Sequence, residues 1–136
     1  MKVLIDTNVT LDILLKRRDY TDAFAVFKLA EEKIISGFIS ASAITDIFFL
    51  SKNAPGRKPA KEALKGLLQV FKPATVTDNN IFQALDLDWI DFEDSVQYII
   101  GESLAVDYIV TRNTQDFSSG LIPALTPEKF IEIISD

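Results

Sequence analysis

Tyr108-Ile109-Val110 is too short and too apolar to be anything but a buried strand, and its flanks dictate how that strand is used. Upstream, Val96, Ile99, Ile100 and Leu104 recur at helical spacing behind Asp91, a residue type suited to cap a helix N-terminus. Downstream, Thr111-Arg112-Asn113 leaves the strand as a polar turn, and Asp116 follows three residues later. Helix, strand and turn together bring Asp94, in the first helical turn, and Asp116 towards the same end of the strand.

The rest of the chain repeats the pattern. Lys2 to Ile5 is a second apolar run that stops at Asp6, and Asp6-Thr7-Asn8 starts a helix with Val9, Ile13 and Leu14 on one face. Lys16-Arg17-Arg18 closes that helix with cations, which complements its dipole. A second helix is expected over residues 20–36, ended by Gly37. Phe38-Ile39-Ser40 reads as a strand, and Ser40 or Ser42 caps a third helix through Ile44, Ile47, Phe48 and Leu50. Pro55, Gly56 and Pro59 mark a loop, followed by a basic helix over residues 60–71. Ala74-Thr75-Val76 is expected as a strand and residues 78–85 as a short helix. Pro127 opens a last helix over residues 128–134. Strands alternating with helices predict a single α/β domain over residues 1–136, a three-layer sandwich around a mainly parallel sheet. Ligands in such folds sit beyond the C-terminal ends of the strands, where Asp6 and Thr111 fall.

The 136 residues suffice for one domain with a real core, and the 48% apolar share suits a globular chain. No apolar run reaches the roughly 20 residues that span a bilayer, and no leader pattern opens the chain. The absence of Cys excludes thiolate metal sites and fits a cytoplasmic protein. The absence of His removes the commonest general base and zinc ligand. Any catalysis therefore runs on carboxylates, hydroxyls, amines or a metal held by oxygen. The net charge of −6 argues against a nucleic-acid partner, but the charges are unevenly spread. Residues 52–72 carry six basic side chains against one acid, Glu62, while residues 78–107 carry eight acids and no base. An acidic cluster beside a basic segment is able to hold cations and a polyanion together.

Each acid has a plain structural use as well as a functional one. Asp6 either caps the helix behind it or faces a site. Asp46, in ITDIFFL, is a lone charge on an apolar helix that needs either a partner or water. Asp94 suits a helix dipole and Asp116 a turn. Four carboxylates meeting in one cleft would repel unless a cation held them. Mg²⁺ or Mn²⁺ is the natural one, and metal-assisted phosphodiester hydrolysis requires no histidine.

VLIDTNV, the Ser42–Asp46 stretch, DFEDSVQ and IVTRNTQDF, in this order and spacing, resemble the PIN-domain family from Lys2 to about Phe130. The closing LTPEKF is similar to the end of one bacterial PIN subgroup. The resemblance implies a Mg²⁺/Mn²⁺-dependent ribonuclease, similar to the RNA-cutting toxins of VapC-type toxin–antitoxin pairs. It further implies an antitoxin partner and a homodimer. Asp6, Asp46, Asp94 and Asp116 would occupy the metal site, with Thr111 and Asn113 in the polar turn beside it. The family's second acid is commonly Glu, and Asp46 is a methylene shorter. Asp91 and Glu93 crowd the same helix start; the family pattern places the ligand at Asp94 and leaves Asp91 as the cap.

Arg112 either meets a phosphate or pairs with the acids, and Asn8 either hydrogen-bonds Asp6 or serves the helix start locally. Asp12 is expected on the polar face of its helix as a solvated or supporting acid. Trp89 and Phe92 lie near the site but read as packing or interface residues. Two other readings compete with this one. A PIN scaffold without turnover, acting as an interaction module, draws on Asp46 and the overall acidity. A haloacid-dehalogenase or receiver-type phosphotransfer domain fails, because Asn8 stands where a second Asp is needed and no Lys follows the late strand. Neither glycine fingerprint for nucleotides is present.

Overall fold

The computed structural model describes residues 1–17, 20–53 and 55–135; Arg18, expected among the cations closing the first helix, lies outside them. Five strands form one sheet: β1 (Lys2–Ile5), β2 (Ser36–Ser40), β3 (Phe71–Ala74), β4 (Tyr108–Val110) and β5 (Ala124–Leu125). Their order is β3-β2-β1-β4-β5, and every adjacent pair is parallel. The chain winds outward from β1 to β3, then crosses back to place β4 on the other side of β1. The winding direction therefore reverses between β1 and β4, where Leu4 faces Ile109 and Ile5 faces Val110. In open α/β sheets such a reversal leaves a crevice at the C-terminal edge.

Alternation along the strands splits the core into two layers. Val3, Ile5 and Val110 pack with α1 (Thr7–Leu15), α2 (Tyr20–Glu31), α3 (Ala41–Ser51), α4 (Arg57–Leu68) and α7 (Pro127–Ser135). Leu4 and Ile109 pack on the opposite face with α5 (Asp78–Asp86) and α6 (Phe92–Leu104). Helices on both faces of a parallel sheet make the expected three-layer sandwich. Among the described residues no helix is long and apolar enough to cross a membrane.

Several boundaries differ from the sequence reading. α2 stops at Glu31, five residues short of Ser36, with Lys33 in the left-handed region at φ 62°. Gly37 is a strand residue, not a helix terminator. A Cβ there would stand 2.6 Å from the Phe71 ring, so the glycine admits that ring against β2. The strand expected at 74–76 is instead Phe71–Ala74, in register with Gly37–Ser40. Pro73 is tolerated because β3 is an edge strand with one unpaired side. α4 begins at Arg57, which puts Pro59 in the first turn, where a missing N–H is harmless. β5, two residues long, had no sequence signal of its own.

Candidate active site at the strand reversal

Asp6 occupies the reversal point. Its backbone N–H donates to the Val110 carbonyl at 3.0 Å, tying the end of β1 to β4. It is also the N-cap of α1, as its capping reading anticipated. Its side chain is 6% exposed and fully engaged. Oδ1 accepts from the Thr7 N–H (2.7 Å) and from Gln97 Nε2 (2.9 Å), while Oδ2 accepts from Thr111 Oγ1 (2.8 Å). Thr111 is itself fixed, because its hydroxyl accepts the Asn113 N–H at 3.0 Å.

The other acids reach this edge by topology. α6 precedes β4 and runs back across the sheet, which puts its N-terminus at the C-terminal ends of the strands. Asp91 caps α6, its Oδ1 accepting the Asp94 N–H at 2.9 Å. Asp94 is half-buried in the first turn. Burial raises its carboxyl pKa first of all, and the charges of Asp91, Asp6, Asp116 and Glu93 push it further, to about 7. Asp116 lies in the short 3-10 helix Thr114–Phe117 after β4. It lines a groove with Asp88, Trp89, Asp91 and Asp94. Asp46 lies in the second turn of α3, which leaves the same edge after β2, and is exposed.

Glu93 links Asp46 to the rest. The Thr7 hydroxyl donates to Glu93 Oε1 at 3.2 Å, so Thr7 bridges Asp6 and Glu93. Desolvation raises the Glu93 pKa, the Thr7 bond opposes that, and Asp46, Asp6 and Asp91 raise it again. The structure thus joins Asp6 directly to Thr111 and Gln97, sets Asp94 in the field of Asp6, Asp91, Asp116 and Glu93, and sets Glu93 in that of Asp46, Asp6 and Asp91.

Two further sequence candidates, Arg112 and Asn8, make bonds outside the Asp6 carboxylate. Arg112 donates to Asp12 Oδ1 at 3.3 Å, and Arg17 Nε donates to the same oxygen at 2.8 Å. Asp12 is therefore not solvated; it is 1% exposed and pinned between two guanidinium groups. The Asn8 carbonyl accepts from Arg17, and the bonds to Asp6 come from Thr7, Gln97 and Thr111 instead. Trp89 packs on Tyr98 and Phe117, as its packing reading anticipated, and Phe92 is 47% exposed. Glu93 was anticipated only as a neighbour crowding Asp94, and Gln97 was not anticipated beside Asp6. Gln97 did carry a signal, being the one amide in the apolar run from Val96 to Ile100.

Among the described residues no ion pair engages Asp6, Asp46, Asp94 or Asp116, and no three acids stand near enough to ligate one ion as placed. The donor set is all oxygen and its charges are mutually repulsive, with Asp94 driven to about 7. Both properties fit a hard divalent cation, whose arrival would relieve the repulsion and draw the acids together.

The PIN domain family model matches residues 2–115. No match is found among curated proteins. Among solved structures, the fold is similar to a chain in the crystal structure of VapBC2 from Rickettsia felis bound to a DNA fragment from their promoter. The two share 16% sequence identity at a TM-score of 0.72, over 92% of this chain and 97% of that one. At that identity the likeness speaks for the fold alone.

Proposed function

The chain belongs to the PIN-domain family, and from that premise we propose that it is a Mg²⁺- or Mn²⁺-dependent ribonuclease, the toxin of a pair restrained by an antitoxin. The observation that carries the reading is the crowding of acids around a fully hydrogen-bonded Asp6 at the strand reversal, which drives Asp94 to about 7. A similar fold in a VapBC2 complex supports the antitoxin as a partner. The absence of His supports a mechanism built on carboxylates.

In this reading Asp6, Asp94 and Asp116 would hold the cation, with Asp46 completing the set. A bound divalent cation supplies polarisation of a phosphoryl oxygen and a water acidic enough to attack phosphorus near neutral pH. Asp6 presents a carboxylate already oriented by three donors, so no reorganisation is needed there. Asp94, whose carboxyl is pushed up to about 7 by burial and neighbouring acids, would serve as a ligand in its ionised form. Thr111 keeps Asp6 in place from β4, and Asn113 keeps Thr111 in place. The basic side chains of α4 (Arg57, Lys58, Lys61 and Lys65) are exposed and suit a phosphate backbone. Cytoplasmic location and a homodimer belong to the same proposal.

The test is cleavage of a mixed-sequence single-stranded RNA by the purified chain with Mn²⁺. Cleavage is expected to cease with EDTA and to fall at least ~100-fold in Asp6→Asn, about the loss seen on removing one electrostatic group from a reaction centre. Cutting that survives both treatments rejects the mechanism. Mn²⁺ uptake without cutting supports the interaction-module reading in its place.

A further inference from the structure

We infer that Gln97 is a positioning residue: its amide sets the orientation of the Asp6 carboxylate and thereby the affinity of the acid cluster for a divalent cation. The inference rests on the metal-dependent reading above and extends it to a buried residue bonded to Asp6.

Gln97 is 1% exposed, in the middle of α6, with Val96, Ile99 and Ile100 buried around it. Burying a primary amide among apolar side chains is unfavourable unless its polar atoms are bonded. Here only one end is. Nε2 donates to Asp6 Oδ1 at 2.9 Å, while Oε1 has no hydrogen-bond partner. The assignment of the two ends is not arbitrary, because a carboxylate only accepts and the nitrogen must therefore face it. An amide serving the core alone would satisfy both ends, and a side chain serving packing alone would be Leu or Met. A half-satisfied buried amide aimed at a carboxylate is best explained by that carboxylate.

The geometry shows what the bond adds. The Thr7 N–H meets Oδ1 as part of helix capping and would do so in any capped helix. Thr111 holds Oδ2 from the side of β4, and Gln97 holds Oδ1 from α6. Donors from two separate elements, one on each oxygen, fix the plane of the carboxylate as a lone cap cannot. Gln97 is also three residues beyond Asp94 on the same helix, so one rigid element carries a candidate ligand and the group that orients another.

The test is Mn²⁺ affinity of the full chain by titration calorimetry, in wild type, Gln97→Met and Gln97→Leu. Both substitutions keep the volume and remove the donor, and cooperative melting identifies folded protein. Affinity is expected to fall about 10–100-fold, the usual effect of losing a group that orients a metal ligand. A second readout follows the Gln97 side-chain amide by NMR. Its resonance is expected to move in Asp6→Asn and to broaden early in a Mn²⁺ titration of wild type. Wild-type affinity in a folded Gln97 variant, or an amide resonance indifferent to Asp6→Asn, overturns this inference alone. A wild-type chain that takes up no Mn²⁺ overturns the proposed function and this inference together.

Discussion

At Asp94 partial burial and four neighbouring negative charges act in the same direction, and the result is a carboxyl near 7 in the metal-free protein. Its ordinary value is 3.8, so between 3.8 and about 7 the native chain binds more protons at this site than the unfolded chain does. Stability therefore falls as the pH rises through that window. Below it both states are protonated, and above it both are ionised. Half-exposure softens the slope through solvent screening. With EDTA present, Tm at pH 8 should be higher for Asp94→Asn than for wild type, and the difference should vanish near pH 4. A wild-type Tm that rises across the window as steeply as that of Asp94→Asn would remove the evidence for crowding. Asp12 shows how residue-scale reading fails in the other direction. Its partners Arg17 and Arg112 lie five and 100 residues away in sequence, so nothing near Asp12 announces that the fold buries it.

Among the elements, α6 concentrates the most groups of the candidate site. It brings its cap Asp91, the acid Asp94 and the amide Gln97 to the C-terminal edge of the sheet because it runs back before β4. Asp91→Ala removes the bond to the Asp94 N–H and costs about 1 kcal/mol, a Tm loss of about 4 °C for a chain of this size. The same change removes the largest charge contribution at Asp94, so the pH window described above should narrow from its upper end. A melting curve series across pH reads both effects. Strong periodicity made α6, β4 and the α1 start legible in the sequence, and the cap at Asp91 was readable for the same local reason. The end of α2 was not, because Ile34 and Ile35 continue an apolar pattern that the chain uses for a turn and the approach to β2. β3 was displaced by three residues because Thr75 and Val76 suit a strand better than Pro73 does. Its position on the sheet edge, which excuses the proline, is a tertiary fact.

For the molecule as a whole, the winding reversal between β1 and β4 is what turns scattered acids into a candidate site. Asp6, Asp46, Asp94 and Asp116 belong to four elements, and each emerges at one edge because all five strands are parallel. The order of motifs made this edge legible, and family resemblance assigned the acids. The donors that hold Asp6 were only partly legible, since Gln97 and Thr111 reach it from 91 and 105 residues away. The most direct measurement is the anomalous diffraction of a crystal grown or soaked with Mn²⁺. A Mn²⁺ peak is predicted between the carboxylates of Asp6 and Asp94, with Asp116 drawn inward, and it should disappear in Asp6→Asn. A Mn²⁺ ion bound elsewhere, or a site left empty under conditions in which the wild-type chain cuts RNA, would contradict the account.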